Sequence, residues 1–361
     1  SALLSSPEYE SFDVNSKDVQ NQKVLSTERI ETSIFRWLAK KDFNWGKKYQ
    51  KEFESVENIK VLLEANVTKL HLGQDSRVVQ KAEVKTIEGN TFSVSAKQFI
   101  VAAGGLENPR LLLLSNIGNQ HDQVGRYYMD HPKELVGEIE LFDKAVDLPL
   151  YWGIVNASKE LRAGLKLRDS VQEEKKVLNS YVLLEPISPW FNNPGMQAVI
   201  SLAQLVKGTK IPNDIIRQYV LDIFQNKKLV FGFINNEVNK RVLHKREKAK
   251  KIKLWNFMEQ EPRAENRVTL SDTKDLLGLP RTTLSWSLGQ LDKETMTVLH
   301  KTLATELEKL KIGILKSPLL EENIQEWPIN RDASHHMGTT RMGDNPETSV
   351  VDKDCKVHGI D

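Results

Sequence analysis

Cysteine is nearly absent from this chain. The 361 residues hold one, Cys355, so no internal disulfide framework can staple the fold. No charge excess exists either: 51 basic and 49 acidic residues leave a net charge of +2, which gives no argument for a polyanionic partner such as a nucleic acid. No apolar run approaches the length needed to span a bilayer. The first residues, Ser-Ala-Leu-Leu-Ser-Ser, lack the charged region and apolar core of a signal peptide. An initiating Met is missing, which fits a chain cut from something longer. Also missing is a Gly-x-Gly-x-x-Gly after an N-terminal strand, so there is no pyrophosphate-binding turn of that kind. Compartment stays open.

What is present describes a globular protein of one large or two ordinary domains, with 39% hydrophobic residues and ample core. Residues 1–45 are polar and poorly periodic, with extended structure expected near Ile30–Trp37. Residues 46–57 look helical. Ile59–Leu63 and Ala65–Leu72 read as short strands. Val84, Thr86 and Thr91–Ser95 alternate around Gly89-Asn90, a hairpin turn signal. Phe99–Ala103 is fully apolar, the pattern of a strand buried on both faces. It runs into Gly104-Gly105. Asn108 is the expected cap of the next helix, with Pro109 in its first position, Leu111–Leu114 buried and Gly118 as its stop.

Strand, meander, strand, Gly-Gly and helix together read as the later half of a dinucleotide fold. The paired glycines let the backbone approach a ligand or a packed neighbour; a tight strand–helix turn without a ligand is the plain alternative. Beyond residue 130 the character changes. Leu135–Leu141, Leu229–Val238, Lys253–Gln260, Arg267–Leu270 and Thr282–Trp286 are strand candidates, and residues 196–227 are helix-like. Lys293–Leu310 is an amphipathic helix with Met296, Leu299, Leu303, Leu307 and Leu310 on one stripe. The run Lys240–Lys253 is the most basic stretch, read as a solvated loop or, alternatively, a dock for an anionic surface or redox partner.

The densest chemistry lies near the end. Residues 332–343 read Asp-Ala-Ser-His-His-Met-Gly-Thr-Thr-Arg-Met-Gly. Drawing His335, His336, Cys355 and His358 as four metal ligands fails on the spacing, because adjacent histidines diverge and only one cysteine exists. Instead the segment resembles the histidine motif of the glucose–methanol–choline (GMC) flavin oxidoreductases. Four further segments are similar to that family in the right order: Ala102–Ser115, Val124–Pro132, Arg267–Ser271 with Asp275…Pro280, and Val350…Asp361. The branch looks similar to bacterial sugar-oxidising members and pyranose oxidases.

The resemblance implies an α/β (α+β) protein: part of a split FAD-binding dinucleotide fold plus an inserted substrate domain with a large, mainly antiparallel sheet and covering helices. On this reading residues 1–130 form a partial FAD-binding domain, 131–328 the substrate domain and 329–361 the return to the flavin region. Val67, Ala103, Gly104 and Gly105 are the expected FAD contacts, with the glycines at the edge of the flavin site, and no metal is implied. His335, three residues before the Gly-Thr step, is the expected base in hydride transfer from a CH–OH group to flavin N5. His336 should point to the opposite face, since neighbours alternate in an extended segment. Thr339, Arg341 and Gly343 should shape the turn, His131 should help close the site, and Glu107 should pair with Arg110. The family's pyrophosphate turn and second catalytic residue would lie beyond the two ends, so the chain reads as truncated, and by itself is expected neither to retain FAD nor to turn over. Its partners would be a small alcohol or sugar and an electron acceptor (oxygen, a quinone or a redox protein). The competing class is a non-catalytic fragment with a structural or interaction role.

Overall fold

The computed structural model describes residues 23–38, 44–74, 77–143, 148–156, 159–187, 193–205, 212–232, 251–324, 326–330 and 334–361. In chain order its elements are β1 (Ile30–Leu38), α1 (Trp45–Ser55), β2 (Asn66–Leu72), β3 (Val79–Lys85), β4 (Thr91–Val94), α2 (Gly104–Ser115), β5 (Lys133–Leu141), α3 (Pro149–Trp152), β6 (Ile154–Asn156) and β7 (Lys159–Leu167). There follow α4 (Asp169–Lys175), β8 (Ser180–Pro186), α5 (Pro194–Leu205), α6 (Asn213–Gln225), β9 (Lys251–Met258), β10 (Arg267–Lys274), β11 (Pro280–Ser285), α7 (Gln290–Lys309) and β12 (Gly313–Lys316). Among the described residues no helix is long and apolar enough to cross a membrane.

Seven strands form one antiparallel sheet, ordered β1-β7-β8-β9-β5-β12 with β6 also on β7. This is the expected large sheet, but it recruits β1 from the first forty residues. Alternation explains its inner face: Ile252, Leu254 and Met258 of β9 are buried there. Opposite lies the predicted stripe of α7, with Met296, Leu299, Leu303 and Leu307 in the same core. Each such side chain contributes roughly 2 kcal/mol by leaving water. Leu310 caps the helix and is only partly buried.

Inside that stripe sits an ionisable group, His300, with no exposed surface. Asn256 donates its amide to the carbonyls of Val136 and Leu254 at 2.8 and 3.0 Å, so its Oδ1 faces His300 and accepts from Nε2 at 2.6 Å. Ser317 Oγ lies 2.9 Å from Nδ1, which must therefore accept. The imidazole is neutral, and burial holds its pKa down to about 3. An unfolded chain takes up this proton near the ordinary histidine value of 6.5, the native chain not until about 3. His300 thus stabilises fully above pH 6.5, and the contribution is lost as pH falls through that window, by up to about 1.4 kcal/mol per pH unit. Urea unfolding of His300→Gln across this range should show a shallower acid loss than the unmutated chain. Identical slopes would mean that His300 already titrates in the native state.

The second unit is the meander β2-β3-β4 packed on α2. Its hairpin turns through Thr86–Asn90 as expected, with Thr86 N–H on Asn90 O. Four expectations are corrected around it. Phe99–Ala103 pairs with no strand among the described residues, and Ile100 is 89% exposed. An apolar strand needs neighbours on both edges, and none flanks it. Ile59–Leu63 likewise forms no strand, and Leu63 is 82% exposed. Helix α2 starts at Gly104 rather than after Asn108, which leaves Pro109 inside it. It ends on Asn116 in the left-handed conformation, two residues before Gly118.

Elsewhere the helix-like span 196–227 divides into α5 and α6. Residues 229–232 are helical rather than extended, and the rest of the Leu229–Val238 strand lies outside the described residues. So does the basic run up to Lys250; Lys251 and Lys253 belong to β9.

Candidate active site

The two motif-bearing connections, Val124–Pro132 and the loop from Ser334 onward, lie side by side. Met129 and Met337 exchange both backbone hydrogen bonds at 3.0 Å. Gly125 N–H donates to Thr339 O at 2.8 Å. Gly338 has φ +91°, and a Cβ there would run into the carbonyl of Tyr127. Only glycine allows this approach.

The same loop is tied to the first turn of α2. Pro109 has no N–H, so the carbonyl four residues earlier, that of Gly105, has no helical partner. Thr339, itself buried, donates its hydroxyl to that carbonyl at 2.7 Å. A Cβ on Gly105 would lie 2.6 Å from His336 O. Proline and glycine thus together open a slot in α2 that the histidine loop fills. This explains why the helix runs through a residue that was expected to start it.

The four candidate histidine and acid groups separate onto two sides. His335 and His131 are exposed, their rings in edge contact at 5.4 Å and 83°. His131 Nδ1 lies 3.3 Å from Met258 O, and a carbonyl only accepts, so this nitrogen carries a proton. His336 faces inward. Its ring is 5.5 Å from that of Tyr128, and its Nε2 is 3.6 Å from Asp130 Oδ2. Divergence of the two adjacent imidazoles is what an extended backbone requires. The Asp130 carboxylate has no exposed surface.

The turn residues also have defined partners. Arg341 stacks on the Tyr127 ring at 3.8 Å and donates to Gln123 Oε1 and the Thr348 carbonyl. Burial holds its pKa below the ordinary arginine value. Asp122, its carboxyl held down to about 2 by hydrogen bonds from Arg267 and Arg126, ties this region to β10. Gly343 O accepts from Ser349 Oγ at 3.0 Å, and Ser349 Oγ also lies 2.8 Å from His358 Nε2. Arg110 pairs with Glu107 at 3.2 Å and with Asp275 at 2.5 Å, clamping the β10–β11 turn onto α2. Among the described residues no cluster of three metal-ligating side chains occurs.

Whether a flavin nucleotide suits these residues can be judged at the start of α2. Gly104 has φ +88°, and a Cβ built there meets nothing within 4 Å. The helix is 12 residues long and has no capping side chain. Asn108 Oδ1 takes the Ala103 N–H at 2.6 Å, one residue before it. The first turn therefore has no side-chain cap on its N–H groups, a donor set that fits an oxygen-rich ligand. Val67 lies on the outward side of β2, the strand whose Leu70 N–H bonds Ser115 of α2. Three participants were not singled out from the sequence: Asp130, Gln260 and the Thr339–Gly105 contact. Only Pro109 carried a local signal, since a proline inside a helix always frees a carbonyl.

Comparison with known proteins bears on the family. Two family models, both described as GMC oxidoreductase, match residues 49–133 and 262–361. The fructose dehydrogenase large subunit of Gluconobacter japonicus is 26% identical over 273 residues, covering 73% of this chain and 41% of that protein. The 2-methyl-1,2-propanediol dehydrogenase of Mycolicibacterium austroafricanum is 23% identical over 320 residues, 80% of this chain and 46% of that protein. This chain therefore spans less than half the length of either. Among solved structures, a formate oxidase has 17% identity and a TM-score of 0.44, over 85% of this chain and 56% of its own. An FAD-dependent oxidoreductase from Chaetomium thermophilum has 14% identity and a TM-score of 0.46, over 87% and 58%. The two family models match in the order of the motifs and together span just over half of the residues: the chain belongs to the GMC oxidoreductase family.

Proposed function

We propose that this chain provides the reaction face of an FAD-dependent enzyme that oxidises a CH–OH group, on a sugar, glycoside or related polyol. One observation carries the reading: an exposed imidazole, His335, stands on a loop bonded directly to the open glycine turn of α2. Relatives named for fructose and for 2-methyl-1,2-propanediol support a hydroxylated substrate. FAD, when bound, supplies the acceptor for the carbinol hydride.

The chain's own groups do the rest. Val67, Ala103, Gly104 and Gly105 would hold the cofactor, Gly104 by leaving room for it and the first turn of α2 by presenting N–H donors. His335 accepts the hydroxyl proton; imidazole is the side chain that exchanges protons near neutral pH. His131, whose ring meets that of His335 edge-on, closes the site beside it. Residues 1–130 and 329–361 make the flavin side, apart from β1, and residues 131–328 the substrate side.

A second reading is favoured by the exposed apolar Ile59–Leu63 and Ile100: the chain holds no flavin and acts only through contacts with another polypeptide. Anaerobic addition of fructose or a 1,2-diol to the chain extended by the family's pyrophosphate-binding segment and supplied with FAD separates the two. Bleaching of bound, stoichiometric flavin supports the enzyme. A protein that stays colourless after desalting even with that segment supports the second reading.

A further inference from the structure

We propose that Asp130 is a positioning residue, a buried carboxylate that sets His335 against His131 by holding both of their main-chain N–H groups on one oxygen. The inference rests on the reading of His335 as the proton acceptor. Asp130 Oδ1 accepts from His131 N at 2.5 Å and from His335 N at 3.1 Å, across 205 residues of sequence. Its other oxygen faces His336 Nε2 at 3.6 Å. A carboxylate with no exposed surface is costly unless hydrogen bonds replace its water, and two N–H donors do so here.

The geometry makes this more than a plug. Two N–H groups on one oxygen fix the distance between their own Cα atoms. The imidazoles that meet at 5.4 Å are carried on those atoms. Beyond His336 the loop is pinned by Met337, Gly338 and Thr339. Before it, Ser334 adopts φ +59°, a left-handed conformation unusual for a non-glycine residue, which a neighbouring restraint has to hold. Asp130 supplies that restraint at the next residue. Its own position is set from the substrate side: its N–H donates to Gln260 Oε1 at 3.1 Å, and the same oxygen receives Trp286 Nε1–H at 2.9 Å. The reaction face is thereby referenced to the β9–α7 connection rather than to α2 alone.

Amide hydrogen exchange of the 334–340 segment in the 361-residue chain reads the clamp directly. Anaerobic flavin reduction in the flavin-loaded enzyme reads its consequence. Asp130→Ala should speed exchange of that segment by about tenfold or more. It should slow reduction by roughly 10–10²-fold, with substrate affinity nearly unchanged, because a misplaced base loses rate rather than binding. Asp130→Asn keeps Oδ1 and should restore both protection and rate to within a few-fold, ~3. If the alanine variant does not fold, Asp130→Ser serves, since its shorter side chain cannot reach both N–H groups. Unchanged protection in Asp130→Ala or Asp130→Ser overturns the clamp. Protection restored by Asn without recovery of rate also overturns it, in favour of the charge beside His336. If no variant, nor the parent, holds reducible flavin while exchange responds as stated, the clamp stands and the flavin reading falls.

Discussion

In the full-length, flavin-loaded enzyme, His335→Ala is expected to slow flavin reduction by the alcohol about 10²–10⁴-fold, the usual worth of a positioned general base, with flavin content unchanged. The side chain is exposed on the rim, and the contacts between its loop and α2 come from Thr339 and the backbone of His336. Truncating the ring therefore removes a proton acceptor and leaves the cradle intact. His336→Ala should cost much less chemistry, because its ring lies against Tyr128 and Asp130 rather than on the exposed side. Its loss should appear instead as reduced stability, since a buried carboxylate loses a neighbour. Stopped-flow reduction of both variants, after flavin content is measured, decides. Equal kinetic losses would show that the two histidines only hold the loop together. A His335→Ala enzyme reduced at nearly the parent rate would move the base to another group, with the Nε2 of His131 first in line.

Gly338→Ala should carry the largest stability effect. Its φ of +91° is unfavourable for any side chain, and the new methyl would overlap the Tyr127 carbonyl, which is backbone and cannot rotate away. Strain and overpacking together amount to roughly 2–5 kcal/mol, a large part of the stability of an ordinary domain. Gly104→Ala is the matched comparison. Its φ is similar, +88°, but nothing lies within 4 Å of the added methyl. It should lose only the backbone part, about 1–2 kcal/mol, while the methyl enters the space assigned to the flavin and weakens its retention. Urea midpoints with flavin content for both variants test the pair. Equal destabilisation, with flavin kept in Gly104→Ala, would remove Gly104 from the cofactor site.

Much of the molecule was legible before any coordinates. The α7 stripe, the alternation in β9 and the Gly89 hairpin all follow from a period that one face in water and one in a core imposes on a single segment, whereas in β5 a bulge between Leu135 and Glu138 breaks the expected alternation and buries Val136 and Ile139. Such patterns are local, so twenty residues suffice to see them. The ordered motifs carried the family in the same way, through residues adjacent in sequence.

What local pattern could not decide was every feature whose partner is distant. Phe99–Ala103 and Ile59–Leu63 have strand composition but form no strand among the described residues, because a strand exists only with an edge to pair. Helix α2 passes through Pro109 because a threonine 234 residues away from Gly105 takes the carbonyl that proline leaves free. β1 was legible as an extended stretch near Ile30–Trp37, but not that β7 would accept it in full register at the edge of the large sheet. Asp130 looked like any acid before a His-Pro step, and His300 like any polar residue on a helix, until folding buried both. The sequence by itself determined the periodic elements and the family, and it singled out His335 as the candidate base. Only the tertiary structure decided which backbone groups hold that histidine, because hydrogen-bond partners are chosen by proximity in space and sequence separation does not predict it.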